Sequence, residues 1–162
     1  MANKIFAVVV TVSDTREDSN DVSGNTLSDL LTQFGAEVTD KIIVTDDFEN
    51  LSQTLFSLTE NEDTNLIITT GGTGLAERDN TPEATLAVID KETQGISEAL
   101  RFETKGKTPM AMLSRGVSGI RNETLIINFP GSPKGVAECF EVIMPILSHA
   151  VGLISGNTEH KN

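Results

Sequence analysis

Residues Ile5 to Val12 form a continuous run of apolar and β-branched side chains. A strand with one wet face alternates apolar and polar residues. This run has no polar face, so the strand must be covered on both sides, as in a parallel sheet lying under helices. Parallel neighbours need long crossovers, and the chain supplies them. From Ser23 the period lengthens: Leu27, Leu30, Leu31 and Phe34 share one helical face, and Gly35 follows as a stop. Lys41 to Val44 reads as a short second strand, and Phe48, Leu51, Leu55 and Leu58 as a second amphipathic helix. Leu66 to Thr70 is a third strand. Thr81, as N-cap, and Pro82, at the first helical position, then open a helix through Ala84, Ala87 and Val88. Ile96 to Phe102 reads as helix, Met110 to Leu113 as strand, and Thr124 to Phe129 as a further buried strand. Ser132 and Pro133 repeat the cap-and-proline device. They start a last helix with Val136, Cys139, Phe140, Ile143, Leu147, Ala150, Val151 and Ile154 on one face and Pro145 expected to kink it. The expected fold is α/β: a three-layer α/β/α sandwich with a mostly parallel central sheet, one domain over residues 1–162, with 155–162 a frayed tail.

Charge narrows the function. The formal net charge of −12 repels nucleic acid and anionic membrane surfaces, so neither is an expected partner. Phosphates would have to be held locally, by backbone N–H groups, a few placed cations or a metal ion. Most of the carboxylates need no role beyond solubility. No apolar run approaches the roughly 20 residues of a membrane span, and the segment before Ile5 leaves no room for a cleaved signal. Cys139 is the only cysteine, which excludes an intrachain disulfide and a thiolate cluster. The expected location is the cytoplasm.

Ligands of open parallel sheets bind beyond the carboxyl ends of the strands. Ser13 and Asp14 follow the first strand, Asp46 and Asp47 the second, Gly71 to Asp79 the third, and Pro130-Gly131-Ser132-Pro133-Lys134 the strand at 124–129. If these strands are parallel, all four loops open on one edge. The Gly71, Gly72 and Gly74 backbone can approach a phosphate without a Cβ in the way, and the helix at Thr81 adds its positive end. The loop is not a P-loop, because no Gly-Lys-[Ser/Thr] follows, nor a dinucleotide fingerprint, because Glu77 stands where the third Gly would fall. Asp46 and Asp79 have two open readings: helix caps, or ligands of Mg²⁺ between phosphate oxygens. His149, in the last helix, and His160, in the tail, lie away from these strand ends, so a His-based triad is not expected, and Cys139 falls on an apolar helix face. Lys134, Arg78 and Arg115 are candidate cations; a surface ion pair is the competing reading for Arg115 and Arg121.

At these loops the chain resembles the MoaB/MogA family of molybdenum-cofactor biosynthesis proteins. The resemblance rests on TTGGTGLAERDNTPEATLAVID from Thr69 to Asp90, TVSDT from Thr11, SGN from Ser23, LSRGVSGIR from Leu113 and NFPGSPKGVAEC from Asn128. It implies an α/β/α fold and a homo-oligomer, trimeric and in some branches hexameric. It also implies use of ATP and Mg²⁺ to adenylylate molybdopterin, and contact with a metal-insertion enzyme of the pathway. Carried over residue by residue, Gly71, Gly72, Thr73 and Gly74 match the phosphate-binding loop, with Arg78 beside it. Asp79 closes that motif, and Asp46 matches the carboxylate after the second strand; together they are the expected catalytic and Mg²⁺-holding pair. Ser13 and Asp14 match the first polar loop, and Pro130, Gly131 and Ser132, with Lys134, the second ligand-binding turn. One branch of the family has the Arg-Asp pair altered; this chain keeps Arg78-Asp79. The competing reading is a non-catalytic molybdopterin binder or carrier.

Overall fold

The computed structural model describes residues 4–157; His160 and the expected tail beyond Asn157 lie outside the described residues. In chain order the elements are β1 (Phe6–Val12), α1 (Val22–Phe34), β2 (Glu37–Val44), α2 (Phe48–Thr59), β3 (Leu66–Thr70), α3 (Thr81–Leu86), β4 (Lys91–Glu92), α4 (Gln94–Thr104), β5 (Ser118–Arg121), β6 (Thr124–Phe129) and α5 (Pro133–Ile154). They build one six-stranded sheet in the order β2-β1-β3-β6-β5-β4. β2, β1, β3 and β6 are parallel, with Val9 beside Ile68 and Ile68 beside Ile127 at the centre. β5 and β4 close one side in antiparallel fashion.

The pleat of β1 explains its composition. Ala7 and Val9 point to one face, where Leu27 and Leu31 of α1, Leu100 of α4 and Val136, Phe140 and Ile143 of α5 cover them. Val8, Val10 and Val12 point to the other, under Leu51 and Leu55 of α2, Ala84 of α3 and Val88 just after it. Each such valine, leucine, isoleucine or phenylalanine, once fully buried, stabilises the fold by roughly 1.5–3 kcal/mol, so a polar residue at either parity would be costly. The result is the expected α/β/α sandwich with a mostly parallel sheet.

Several local expectations need correction. β2 begins at Glu37, not Lys41; its first half lies on an edge, is largely exposed, and carries a bulge opposite Ala7 and Val8. Met110 to Leu113 belongs to a 3₁₀ turn, Pro109–Leu113, started by Pro109 and capped by the Thr108 hydroxyl; none of its residues is buried, so nothing draws it into the sheet. Residue Asn80, not Thr81, occupies the N-cap of α3, and the Thr81 hydroxyl instead donates to the Gly71 carbonyl (2.9 Å). Residues 155–157 form a capped turn, because Gly156 takes a φ of 83° and the Gly156 and Asn157 N–H groups bond to the Leu153 and Gly152 carbonyls. The helix α5 runs on past Pro145, and by length and composition it could cross a bilayer, with a mean hydropathy of 1.5 over its most apolar stretch. Here it is a core helix, its apolar face against the sheet and α1.

Candidate functional site

The parallel half of the sheet delivers four loops to one edge. They are stitched together through main chain. Thr70 Oγ1 donates to the Pro130 carbonyl (2.7 Å), and the Gly71 N–H donates to the Phe129 carbonyl (3.2 Å). Gly71 and Gly131 stand back to back: a Cβ on Gly131 would lie 3.3 Å from the Gly71 Cα. Gly71 has a φ of 103° and Gly72 of 67°, a region that favours glycine. A Cβ on Gly71 would meet the Val12 carbonyl oxygen at 2.4 Å, and one on Gly72 would meet Thr81 Oγ1 at 2.3 Å and Asp46 Oδ1 at 3.0 Å. Small residues are therefore forced here by geometry before any ligand is considered. The six-residue α3 is too short to add much field, and its first N–H is bonded to the Gly72 carbonyl. The long dipole on this edge is that of α5, which starts at Pro133 behind the Ser132 cap.

The carboxylates gather against this loop. The Asp14 N–H donates to Asp46 Oδ2 (3.1 Å) and the Asp46 N–H donates to Asp14 Oδ1 (3.0 Å), which locks the loops after β1 and β2 together. Arg78 reaches across with Nε and a terminal nitrogen to both Asp14 oxygens, the latter at 2.9 Å. That hydrogen bond is the main reason Asp14 ionises below its usual range. Asp46 goes the other way: burial first, then the charges of Asp14 and Asp79, push its carboxyl above the usual value. Asp79 Oδ2 accepts the Ala76 N–H (2.9 Å) and closes the end of the loop. Neither Asp46 nor Asp79 caps a helix through its side chain. Asp47 caps α2 by accepting the Asn50 N–H (2.9 Å), and α3 has no side-chain cap. The two carboxylates are left facing the loops.

Half-buried Ser13 is turned onto its own loop, its hydroxyl accepting the Thr15 and Arg16 N–H groups at 3.2 Å each. Thr73 is buried, while Lys134 is largely exposed, 3.8 Å from Glu138. Sequence reasoning missed Arg16, which donates to Ser23 Oγ (2.8 Å) and to the Gly131 carbonyl (3.1 Å); Ser23 donates to the same carbonyl (2.6 Å). Arg16 is the only cation between Ser13 and Gly24, a signal the sequence did contain. It also missed Asp21, wholly buried at the foot of that loop between Thr11, Lys41 and Arg16. Burial raises the Asp21 carboxyl, but hydrogen bonds from Thr11, the Gly24 N–H and Lys41 outweigh it and leave the group below its ordinary value. Arg115 is not an available cation: its guanidinium is spent on loop carbonyls and Glu83. Arg121 does pair with Glu60 (2.7 Å), but not as a loose surface charge: its side chain is only 15% exposed and its guanidinium stacks over the Phe56 ring. Behind the 130–132 turn lies a cavity of about 320 Å³, lined by Ser97, Leu100, Arg101, Met110, Asn128 and Cys139 among others. Burial pushes the Cys139 thiol up to about 12, so it is no nucleophile.

The sequence and the fold have close counterparts. A family profile described as "Probable molybdopterin binding domain" matches residues 8–149. The chain is 39% identical over 139 residues to a molybdopterin adenylyltransferase of Helicobacter pylori, covering 85% of this chain and 79% of that protein. It is 44% identical over 150 residues to the molybdenum cofactor synthesis protein cinnamon of Drosophila melanogaster, covering 90% of this chain but spanning only 25% of that protein. Among solved structures, the molybdopterin biosynthesis enzyme MoaB of Thermus thermophilus superposes with a TM-score of 0.86 at 41% identity, over 94% of this chain and 97% of that one. The tungsten cofactor synthesizing protein MoaB of Pyrococcus furiosus gives 0.80 at 28% identity, over 98% and 100%.

Proposed function

The chain belongs to the MoaB/MogA molybdopterin-binding family of molybdenum-cofactor biosynthesis, and from that premise we propose that it transfers AMP from ATP to the terminal phosphate of molybdopterin. The carrying observation is the placement of Asp46 and Asp79, free of capping duty, against the glycine loop: the Asp46 carboxylate lies beside Gly72 and the Asp79 carboxylate beside Gly74. A terminal phosphate is already ionised near neutral pH, so the attacking oxygen needs no strong base, in keeping with a site without histidine. The new bond joins that oxygen to the α-phosphorus of ATP. The bond from the α-phosphorus to the bridging oxygen breaks, and pyrophosphate leaves.

The residues divide the work. The Gly72–Gly74 backbone, the α5 N-terminus and Lys134 receive phosphate oxygens, and Arg78, exposed and only surface-paired, can turn from Asp14 to a phosphate. Among the described residues no three acidic, His or Cys side chains form a ready-made cage. Mg²⁺ needs no such cage, because it binds through one or two carboxylates together with phosphates and water. Asp46 and Asp79 would hold it; the Asp46 carboxyl is raised by burial first and then by the negative charges of Asp14 and Asp79, which a cation would offset. When bound, the ion would neutralise charge on the phosphates. The cavity behind the 130–132 turn has room for a fused ring, lined by apolar side chains such as Leu100 and Met110 and polar ones such as Ser97, Arg101 and Asn128.

The reading extends to a cytoplasmic homo-oligomer, trimeric or hexameric, that hands its product to a metal-insertion enzyme. The second reading, a molybdopterin carrier without catalysis, uses the same cleft. Pyrophosphate release that requires both molybdopterin and Mg²⁺ supports transfer. Tight molybdopterin binding with no pyrophosphate release supports the carrier.

A further inference from the structure

Arg115 lies in the segment that periodicity left least assigned, between the 3₁₀ turn and β5. Its main-chain N–H donates to the Thr73 carbonyl (2.8 Å), Nε donates to the Gly74 carbonyl (2.7 Å), and a terminal nitrogen donates to the Asp79 carbonyl (2.6 Å). The other terminal nitrogen pairs with Glu83 on α3. Among the described residues, three carbonyls of the loop from Thr73 to Asp79 are bonded to a distant part of the chain, and all three accept from Arg115. One planar side chain thus grips the start of the loop, its end and the helix that follows.

The grip is itself anchored. The Gly116 carbonyl accepts from Arg101 (2.7 Å), and the Val117 N–H donates to Asn128 Oδ1 (3.1 Å). Buried Asn128 then donates to Thr69 of β3 (3.0 Å) and Thr85 of α3 (2.9 Å). The base of Arg115 is tied to the same two strands that carry the glycine loop and the 130–132 turn.

We propose that Arg115 is a positioning residue that clamps the Gly-rich loop and sets the Asp79 carboxylate, without itself contacting substrate. Its rate consequence rests on the adenylyl-transfer reading; its structural consequence does not. A lysine there keeps the charge and most of the stem but has no fork to span two carbonyls. A carboxylate displaced by about 1 Å from the reacting phosphates can cost on the order of a hundredfold in rate.

The test compares wild type, Arg115→Lys and Arg115→Ala in the full chain. Residue-resolved hydrogen exchange follows the Ala76 and Asp79 amides, whose bonds close the loop, against amides of β3 and β6. In parallel, kcat for pyrophosphate release and binding of molybdopterin alone are measured. Expected are at least tenfold faster exchange at Ala76 and Asp79 in both variants, unchanged exchange in β3 and β6, a kcat about a hundredfold lower, and nearly unchanged molybdopterin affinity. Should Arg115→Ala fail to fold, the lysine variant carries the test. Wild-type protection at Ala76 and Asp79 in Arg115→Lys overturns the clamp, and so does faster exchange spread evenly through the sheet; a full kcat with an opened loop overturns the claim that the clamp sets the Asp79 carboxylate. Wild-type protein that releases no pyrophosphate, beside variants that open the loop, keeps the clamp and sinks the adenylyl-transfer reading alone.

Discussion

Asp46 and Asp47 are adjacent and do different things. Asp47 is used up at the start of α2, while Asp46 sits among charges of its own sign. Because its carboxyl is raised in the folded chain, ionised Asp46 destabilises the fold. That cost is fully present above the raised value and disappears as pH falls through it and below the ordinary 3.8. Asp46→Asn should therefore melt higher than wild type at pH 7, and the gap should close on acidification to pH ~3. Adenylyl transfer should fall in the same variant; thermal melts across pH, with an activity assay, check both. Asp79→Asn should behave differently. The amide can still accept the Ala76 N–H, so stability should change by less than about 1 kcal/mol. Pyrophosphate release at saturating ATP and Mg²⁺ should drop by about a hundredfold, roughly 3 kcal/mol of transition-state stabilisation. A normal rate with a normal melting temperature would remove Asp79 from the site.

At the scale of elements, α3 is held by a side chain that propensity rules assign elsewhere. The buried Thr81 hydroxyl straps α3 to Gly71. Thr81→Val keeps the shape and leaves that carbonyl unpaired, so it should cost about 1–3 kcal/mol in denaturant unfolding; a loss below 0.5 kcal/mol would mean the strap is idle. The sequence makes β1, β3 and β6 legible because both their faces are buried, and α1 and α5 because their caps are orthodox: Gly35 in the left-handed region, Ser132 bonded to the Gly135 N–H. It hides the first half of β2, since an edge strand with Glu37 and Asp40 outward carries no apolar alternation. It also hides the β5–β6 hairpin, whose tight turn relies on Asn122 at a φ of 50° with no glycine beside it. The glycine loop and the 130–132 turn could be found because small residues cluster in the chain. Arg16 and Arg115 escaped as loop-fixing residues because their partners are backbone carbonyls 115 and 41 positions away, which no local pattern encodes.

Over the whole molecule, one stretch stands out for its apolar exposure. Phe102, Met110, Met112 and Leu113 are 46–68% exposed around the end of α4 and the 3₁₀ turn. Such a cluster suits a surface covered by a second copy, in line with the expected oligomer. If the proposed oligomer forms through this surface, Met112→Lys should sediment at micromolar concentration as a smaller species than wild type, and a wild type that is monomeric there would count against the assembly. The long course of α5 has another consequence. It begins at the ligand edge and, at about 1.5 Å per residue over 22 residues, runs roughly 33 Å along the sheet. The strands are only about 20 Å deep. Asn157 therefore leaves the sheet on the far side, where Ile5 enters beside Glu37. The described chain thus enters and leaves the fold at the edge opposite the loops that carry Asp46 and Asp79, so neither end starts out beside the candidate site.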